Sequence, residues 1–167
     1  MYATPTDLLL LFGPREIAGC ALPDHLPSEV RVTGELLQLT VAGGDREAFS
    51  TAEQDAADQC LARILMALDQ ASRQMDTYLS RRYVLPLAAS TIAANPLMKM
   101  CGDLARVALD DDSKDVALKM RRDSAVDWLR DVMTGQIALV VGATDQTVSS
   151  QVAMVPGVSF FRGMEDF

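Results

Sequence analysis

The residues that could do chemistry in this chain are few. There is one histidine, His25, in 167 residues. It lies between Pro23 and Pro27, in a loop-forming stretch. One imidazole cannot supply the usual cluster of metal ligands, and no serine stands in a Gly-x-Ser-x-Gly nucleophile setting. His25 therefore reads as a surface loop residue. Gly43-Gly44 lacks the lysine and the strand-to-helix context of a phosphate loop. Asp55 and Asp58 share a helical face, where paired carboxylates can move a proton or hold a hard cation. On an exposed helix such a pair is ordinarily solvated charge. Asp110-Asp111-Asp112 does not have calcium-loop spacing. Cys20, Cys60 and Cys101 are odd in number and far apart, without metal-ligand spacing. Cys60 and Cys101 fall on apolar helix faces, as buried reduced thiols of a cytosolic protein would. The expectation is a protein that is not an enzyme, with no catalytic residue, no cofactor and no metal.

What remains is the chemistry of contact. Arg81, Arg82 and Tyr83 are of the types that anchor interfaces, through flat surfaces that stack and hydrogen-bond. An internal role stays open beside this one. Arg81 or Arg82 could satisfy a helix C-terminus, and Tyr83 could pack in the core. The chain ends Phe160-Phe161-Arg162-Gly163-Met164-Glu165-Asp166-Phe167, with three Phe and one Met in eight residues. A solvated tail gains nothing from exposed aromatics. The segment is either a docking peptide for another chain or folds back on its own helices. The interface set is thus Arg81, Arg82, Tyr83, Phe160, Phe161, Arg162, Met164 and Phe167.

These residues hang on one long element. Thr51 to Arg81 is the longest unbroken helical pattern. Its apolar or small residues recur at three-then-four spacing: Ala57, Cys60, Leu61, Ile64, Leu65, Leu68, Ala71, Ser72, Met75, Tyr78 and Leu79. Ser50 with Glu53 forms a capping box at its start, and Pro86 and Pro96 block continuation. Asp69 and Arg73 stand four apart in the supporting order. Before it, Thr4-Pro5-Thr6-Asp7 opens a first helix that Gly13-Pro14 ends. A second, Arg15 to Ala18, should stop at Gly19. Glu29 to Val32 and Glu35 to Val41 lean to strand around Thr33-Gly34, so a β-hairpin is expected within 22–49. After it, Asn95-Pro96 opens a helix to about Asp110. Ser113 is the expected cap of a last helix through Thr134, stopped by Gly135. Ile137 to Val141 is a short β-prone run. The fold class is mainly α, a helical bundle around one long central helix. It carries a small hairpin insertion, and an extended tail at 143–167 follows a domain of residues 1–142.

Composition narrows function. Hydrophobic residues make up 49% of the chain, which is globular. Aromatics are only 5%, so Leu, Val, Ala and Met must fill the core. The nine Met suit core filling, or else adaptable contact. Net charge is −8, with no long basic run, which weighs against sequence-specific nucleic-acid binding. An acidic wall that lets DNA slide past is compatible with this charge. No run of about 18 apolar residues marks a membrane span, and Leu8 to Phe12 lacks the basic start of a signal peptide.

The run Met75-Asp76-Thr77-Tyr78-Leu79-Ser80-Arg81-Arg82-Tyr83-Val84-Leu85-Pro86-Leu87 resembles the central motif of Mu-like tailed-phage and prophage morphogenesis proteins. That motif is roughly hydrophobic-Asp-x-Tyr-Leu-x-x-Arg-Tyr-x-Leu-Pro-Leu. Met1-Tyr2-Ala3-Thr4 with Asp7-Leu8 and Phe12-Gly13 resembles the opening of the same family. Cys101-Gly102-Asp103-Leu104-Ala105-Arg106 and Ala125-Val126-Asp127-Trp128-Leu129 with Gly135 are similar to its later helices. The resemblance implies a head–tail connector (adaptor) of the virion neck, assembled in the host cytoplasm as a homo-oligomeric ring of about twelve copies. Its partners would be the portal protein and a downstream neck or tail protein, with DNA passing through the lumen. A tail-terminator or stopper ring, richer in strand, and a small cytosolic helical regulator or enzyme remain the alternatives.

Overall fold

The computed structural model describes residues 1–27, 29–110 and 115–141. Seven helices follow in order among them: α1 Pro5–Phe12, α2 Pro14–Ala21, α3 Gly34–Ala42, α4 Thr51–Leu79, α5 Ala89–Ala94, α6 Leu97–Leu109 and α7 Val116–Thr134. Local signals set several boundaries. Thr4 caps α1 in a reciprocal box with Asp7, and Ser50 does the same for α4 with Glu53. Gly135 ends α7 in the left-handed region, φ 86°. Asp115 caps α7 by accepting from the Ala117 amide at 2.8 Å. The expected cap, Ser113, lies outside the described residues, as do Phe160, Phe161, Arg162, Met164, Phe167 and the rest of the tail.

α4 is one continuous helix of 29 residues. At 1.5 Å per residue it is roughly 43 Å long. α1, α2, α3, α6 and α7 all pack against it, and α5 packs on α6. Its buried face is Ala56, Ala57, Cys60, Ile64, Ala67, Leu68, Ala71, Ser72, Met75 and Leu79. The expected stripe holds at Ala57, Cys60, Ile64, Leu68, Ala71, Ser72, Met75 and Leu79 and departs from expectation at its edges. Leu65 is 41% exposed, while Ala67 takes a core place. Small residues on this face let the neighbours approach closely. Gly102 of α6 does the same toward α1, since a Cβ there would stand 2.5 Å from Leu11 Cδ1.

Three expectations fail. The hairpin within 22–49 is absent: Gly34–Ala42 is a helix, capped by Thr33 Oγ1 on the Leu36 amide and closed by left-handed Gly43. Its buried residues are Leu36, Leu37 and Thr40. That one-turn spacing overrides the alternation of Leu37, Leu39 and Val41. A short helix pairs its backbone internally, while a two-stranded ribbon leaves unpaired edges. α2 also runs through Gly19 to Ala21, and Pro23 follows its end. The Gly19 position is exposed and uncrowded, so glycine costs this helix about 1 kcal/mol and does not break it. Ile137 to Val141 contains neither helix nor strand.

The core holds two thiols. Cys60 and Cys101 are both fully buried. Burial pushes the Cys60 thiol up to about 11, and pushes Cys101 upward as well. The Tyr2 phenol is raised well above its usual range, by burial first and then by its hydrogen bond to Asp76. All three groups fold as the protonated species. Their contribution is complete below the unfolded thiol range near pH 9 and is lost as pH rises toward and beyond the folded values.

Two outcomes follow. The urea midpoint falls progressively above about pH 9, and Cys60→Ala flattens that decline; an unchanged slope in the variant contradicts the assignment. Leu68→Ala, at a fully buried position on α4, costs about 2–5 kcal/mol in urea unfolding at pH 7.

Candidate functional site

α4 ends at Leu79, and the chain turns through Ser80, Arg81 and Arg82. Arg81 is exposed and Arg82 half-buried. The Arg82 guanidinium lies over the end of α7. A Cβ added at Gly135 would stand 2.0 Å from its Nη1. Gly135 therefore serves twice: it reaches φ 86°, and it leaves room for a cation at the negative end of a helix dipole. Tyr83 is only 3% exposed. Its hydroxyl accepts the Leu139 amide proton at 2.8 Å. Of the two roles open to Tyr83, the structure shows the internal one: its ring is core, and its oxygen ties the segment after α7 to the turn after α4.

A second tie sits close by. Asn95 Nδ2 donates to the Thr91 and Val140 carbonyls at 2.7 and 2.9 Å, and Asn95 Oδ1 accepts from the Val140 amide at 3.0 Å. A side-chain amide can pair with both the N–H and the C=O of one residue, so the backbone of Val140 is held like a strand residue. Val140 itself is 64% exposed, as is Val84 at 52%. Sequence reasoning missed Asn95, because it read Asn95-Pro96 only as a helix opening. Nothing local in the sequence marks a contact with Val140.

Asn95 also borders a groove. A hollow of about 350 Å³ is lined by Tyr2, Ile92, Asn95, Pro96, Met98 and Lys99 among others. An adjoining one of about 430 Å³ shares Tyr2 and Ile92 and continues to Asp76, Leu85, Pro86 and Leu87. The Leu85–Pro86 peptide is cis. The groove is mostly apolar, with charges at its edge. Lys99 pairs with the buried Asp103 at 2.5 Å, leaving the lysine 56% exposed. Tyr2 is bonded to Asp76 across its floor.

Elsewhere, buried Arg106 bonds Glu16 at 2.9 Å and Asp110 at 3.3 Å, which fastens α6 to α2. Burial works against its charge, and the bond to Glu16 holds the charge in place. His25 is exposed, in a shallow hollow of about 550 Å³ with Asp24, Gln59 and Arg63. Arg63 is already engaged there, donating to the Leu22 carbonyl at 2.8 Å and the Ala21 carbonyl at 3.4 Å. Asp58 pairs with Arg46 at 2.5 Å, and Asp55 is exposed on the same helix. Among the described residues, no three His, Cys, Asp or Glu side chains cluster as a metal site. No described helix is long and apolar enough to cross a membrane.

The structure therefore brings Arg82, Tyr83, Asn95 and Val140 to one corner, beside an apolar groove. The chain leaves that corner at Val141. This corner contains the motif Met75 to Leu87. The "Mu-like prophage FluMu protein gp36" of Haemophilus influenzae is 33% identical over 90 residues. That match covers 54% of this chain and 62% of the relative, so the chain spans under two thirds of that protein. A family model described as "Bacteriophage Mu, Gp36" matches residues 2–156. Nearly the whole chain fits that model, helices and corner alike: the protein belongs to the bacteriophage Mu Gp36 family.

Proposed function

We propose that this chain is a head–tail connector subunit that closes with identical copies into a ring of about twelve below the portal. It would join head to tail by binding alone, without catalysis, while DNA passes through the lumen. The observation that carries this is uncovered apolar surface on different elements of a phage-family chain. Leu65 and Met66 are adjacent on α4, 41% and 73% exposed. Val116 and Met120 stand one turn apart on α7, 67% and 66% exposed. A head-to-tail ring needs two different patches on each subunit, and it closes when the rotation fits. Paired exposed apolar residues mark surfaces that gain from being covered. A net charge of −8 suits a wall that does not hold DNA.

In this reading Arg82 and exposed Arg81 stand at a subunit boundary, and the tail from Phe160 to Phe167 contacts a different chain. The helical body weighs against a strand-rich stopper or terminator. Among the described residues, the hollow at His25 is what speaks for a small-ligand regulator or enzyme, and binding of a small molecule there that His25→Ala abolishes would favour it.

Size-exclusion chromatography with light scattering gives the direct test of the ring. A discrete oligomer of the 18.1 kDa subunit is expected, and a monomer at every concentration sinks the reading. Arg82→Ala should weaken assembly about 30-fold, the effect of losing about 2 kcal/mol at an interface anchor. Negative-stain images of particles made without this chain should show heads lacking tails. Deleting residues 160–167 should give the same picture, and normal particles would remove the tail from the account.

A further inference from the structure

We propose that the groove between α5 and the amino-terminal segment receives the Phe160–Phe167 peptide of a second copy of this chain. The inference rests on the ring reading and names the surface that one subunit offers the next.

The groove fits such a peptide in kind. Its walls are the Tyr2 ring, Ile92, Pro96 and Met98, and its volume of about 350 Å³ admits an aromatic side chain. Sulfur and ring edges are favourable company for Phe. The charges at the edge also match. Asp7 stands on the lining, where its carboxylate already takes the Thr4 amide and hydroxyl and would add Arg162, and Lys99, 56% exposed beside its partner Asp103, can face Glu165 or Asp166.

The chain's exit decides between the subunit's own tail and another's. Asn95 holds Val140 at the groove's rim by both backbone groups, so the chain leaves beside its own groove. A return to that groove needs only a short connection, and compact domains usually use about 4–6 residues. The spacer 142–159 is several times longer. It is mostly Gly, Ser, Thr, Gln and Val, with Ala143, Asp145, Ala153 and Met154 among them and a Pro156-Gly157 break near its end. Stretched out, the path from Val141 to Phe160 reaches about 60 Å. That exceeds the ~43 Å length of α4. A link of this length spans a subunit to reach the next one, and repeated around a closed assembly it ties every copy to its neighbour.

The test uses the full chain with benzoylphenylalanine at position 160. After irradiation of the assembled sample, covalent dimers should appear on a denaturing gel. Mass spectrometry should map the link to the peptide spanning 89–99. Ala93→Arg fills the groove from an exposed position of α5 and should cut the dimer yield at least tenfold while the thermal midpoint stays within a few degrees. Met98→Asp, at 39% exposure, serves as the second variant. Links within one chain, or links to other surfaces in an intact oligomer, overturn the groove and leave the ring standing. A sample that light scattering shows to be monomeric throughout overturns both.

Discussion

The burial of one face of α4 is the constraint on which the molecule depends. The other helices range from 6 to 19 residues. Helices shorter than about 12–15 residues are marginal alone in water. α1, α2, α3, α5 and most of α6 fall in or near that class, so each exists because it is docked. α4 supplies the surface that docks most of them, with fully buried Ile64, Leu68, Met75 and Leu79 along its length. Each such side chain contributes on the order of 1.5–3 kcal/mol of transfer free energy. Small residues between them, Ala57, Ala67 and Ala71, keep the approach close. The body is stable as a rod with shorter pieces laid on it, and its outer faces are left for other contacts.

Polar groups then decide which pieces meet where. Hydrophobic burial has no direction, but a hydrogen bond does. Tyr83 with the Leu139 amide, Asn95 with both backbone groups of Val140, and Arg106 with Glu16 each join segments far apart in the chain. Two of the three act at one corner. They fix the point from which the C-terminal segment departs, beside Arg82 and the apolar groove. The Arg82–Gly135 packing adds a third constraint there, with a glycine leaving space for a guanidinium at a helix end. The run Met75 to Leu87 thus ends in the corner that holds Leu139 and Val140.

Local signals and long-range contacts divide the fold between them. Ser50 with Glu53, Thr4 with Asp7, and Gly135 are read correctly because a cap is satisfied within a few residues. α3 was misread because Leu37, Leu39 and Val41 alternate, and β-branched residues lean to strand. The competing signal was present: Thr33 and Gly43 stand where a cap and a left-handed stop belong. Gly19 was overweighted, since an exposed glycine lowers helix stability without ending the helix. Tyr83 was ambiguous in principle. An amphipathic ring reads alike in a core and at an interface, and only its neighbours decide.

By itself the sequence determined the class, the family resemblance, the long central helix and the lack of familiar catalytic motifs. Those properties rest on periodicity, caps and residue chemistry, which are written over a few turns of chain. Only the tertiary structure decided that Tyr83 is buried, that Asn95 grips Val140, and that the groove around Tyr2 opens where the chain departs. Each of these joins residues 45 to 74 positions apart. No local pattern records such a pairing, because it arises from how the short helices settle on the long one.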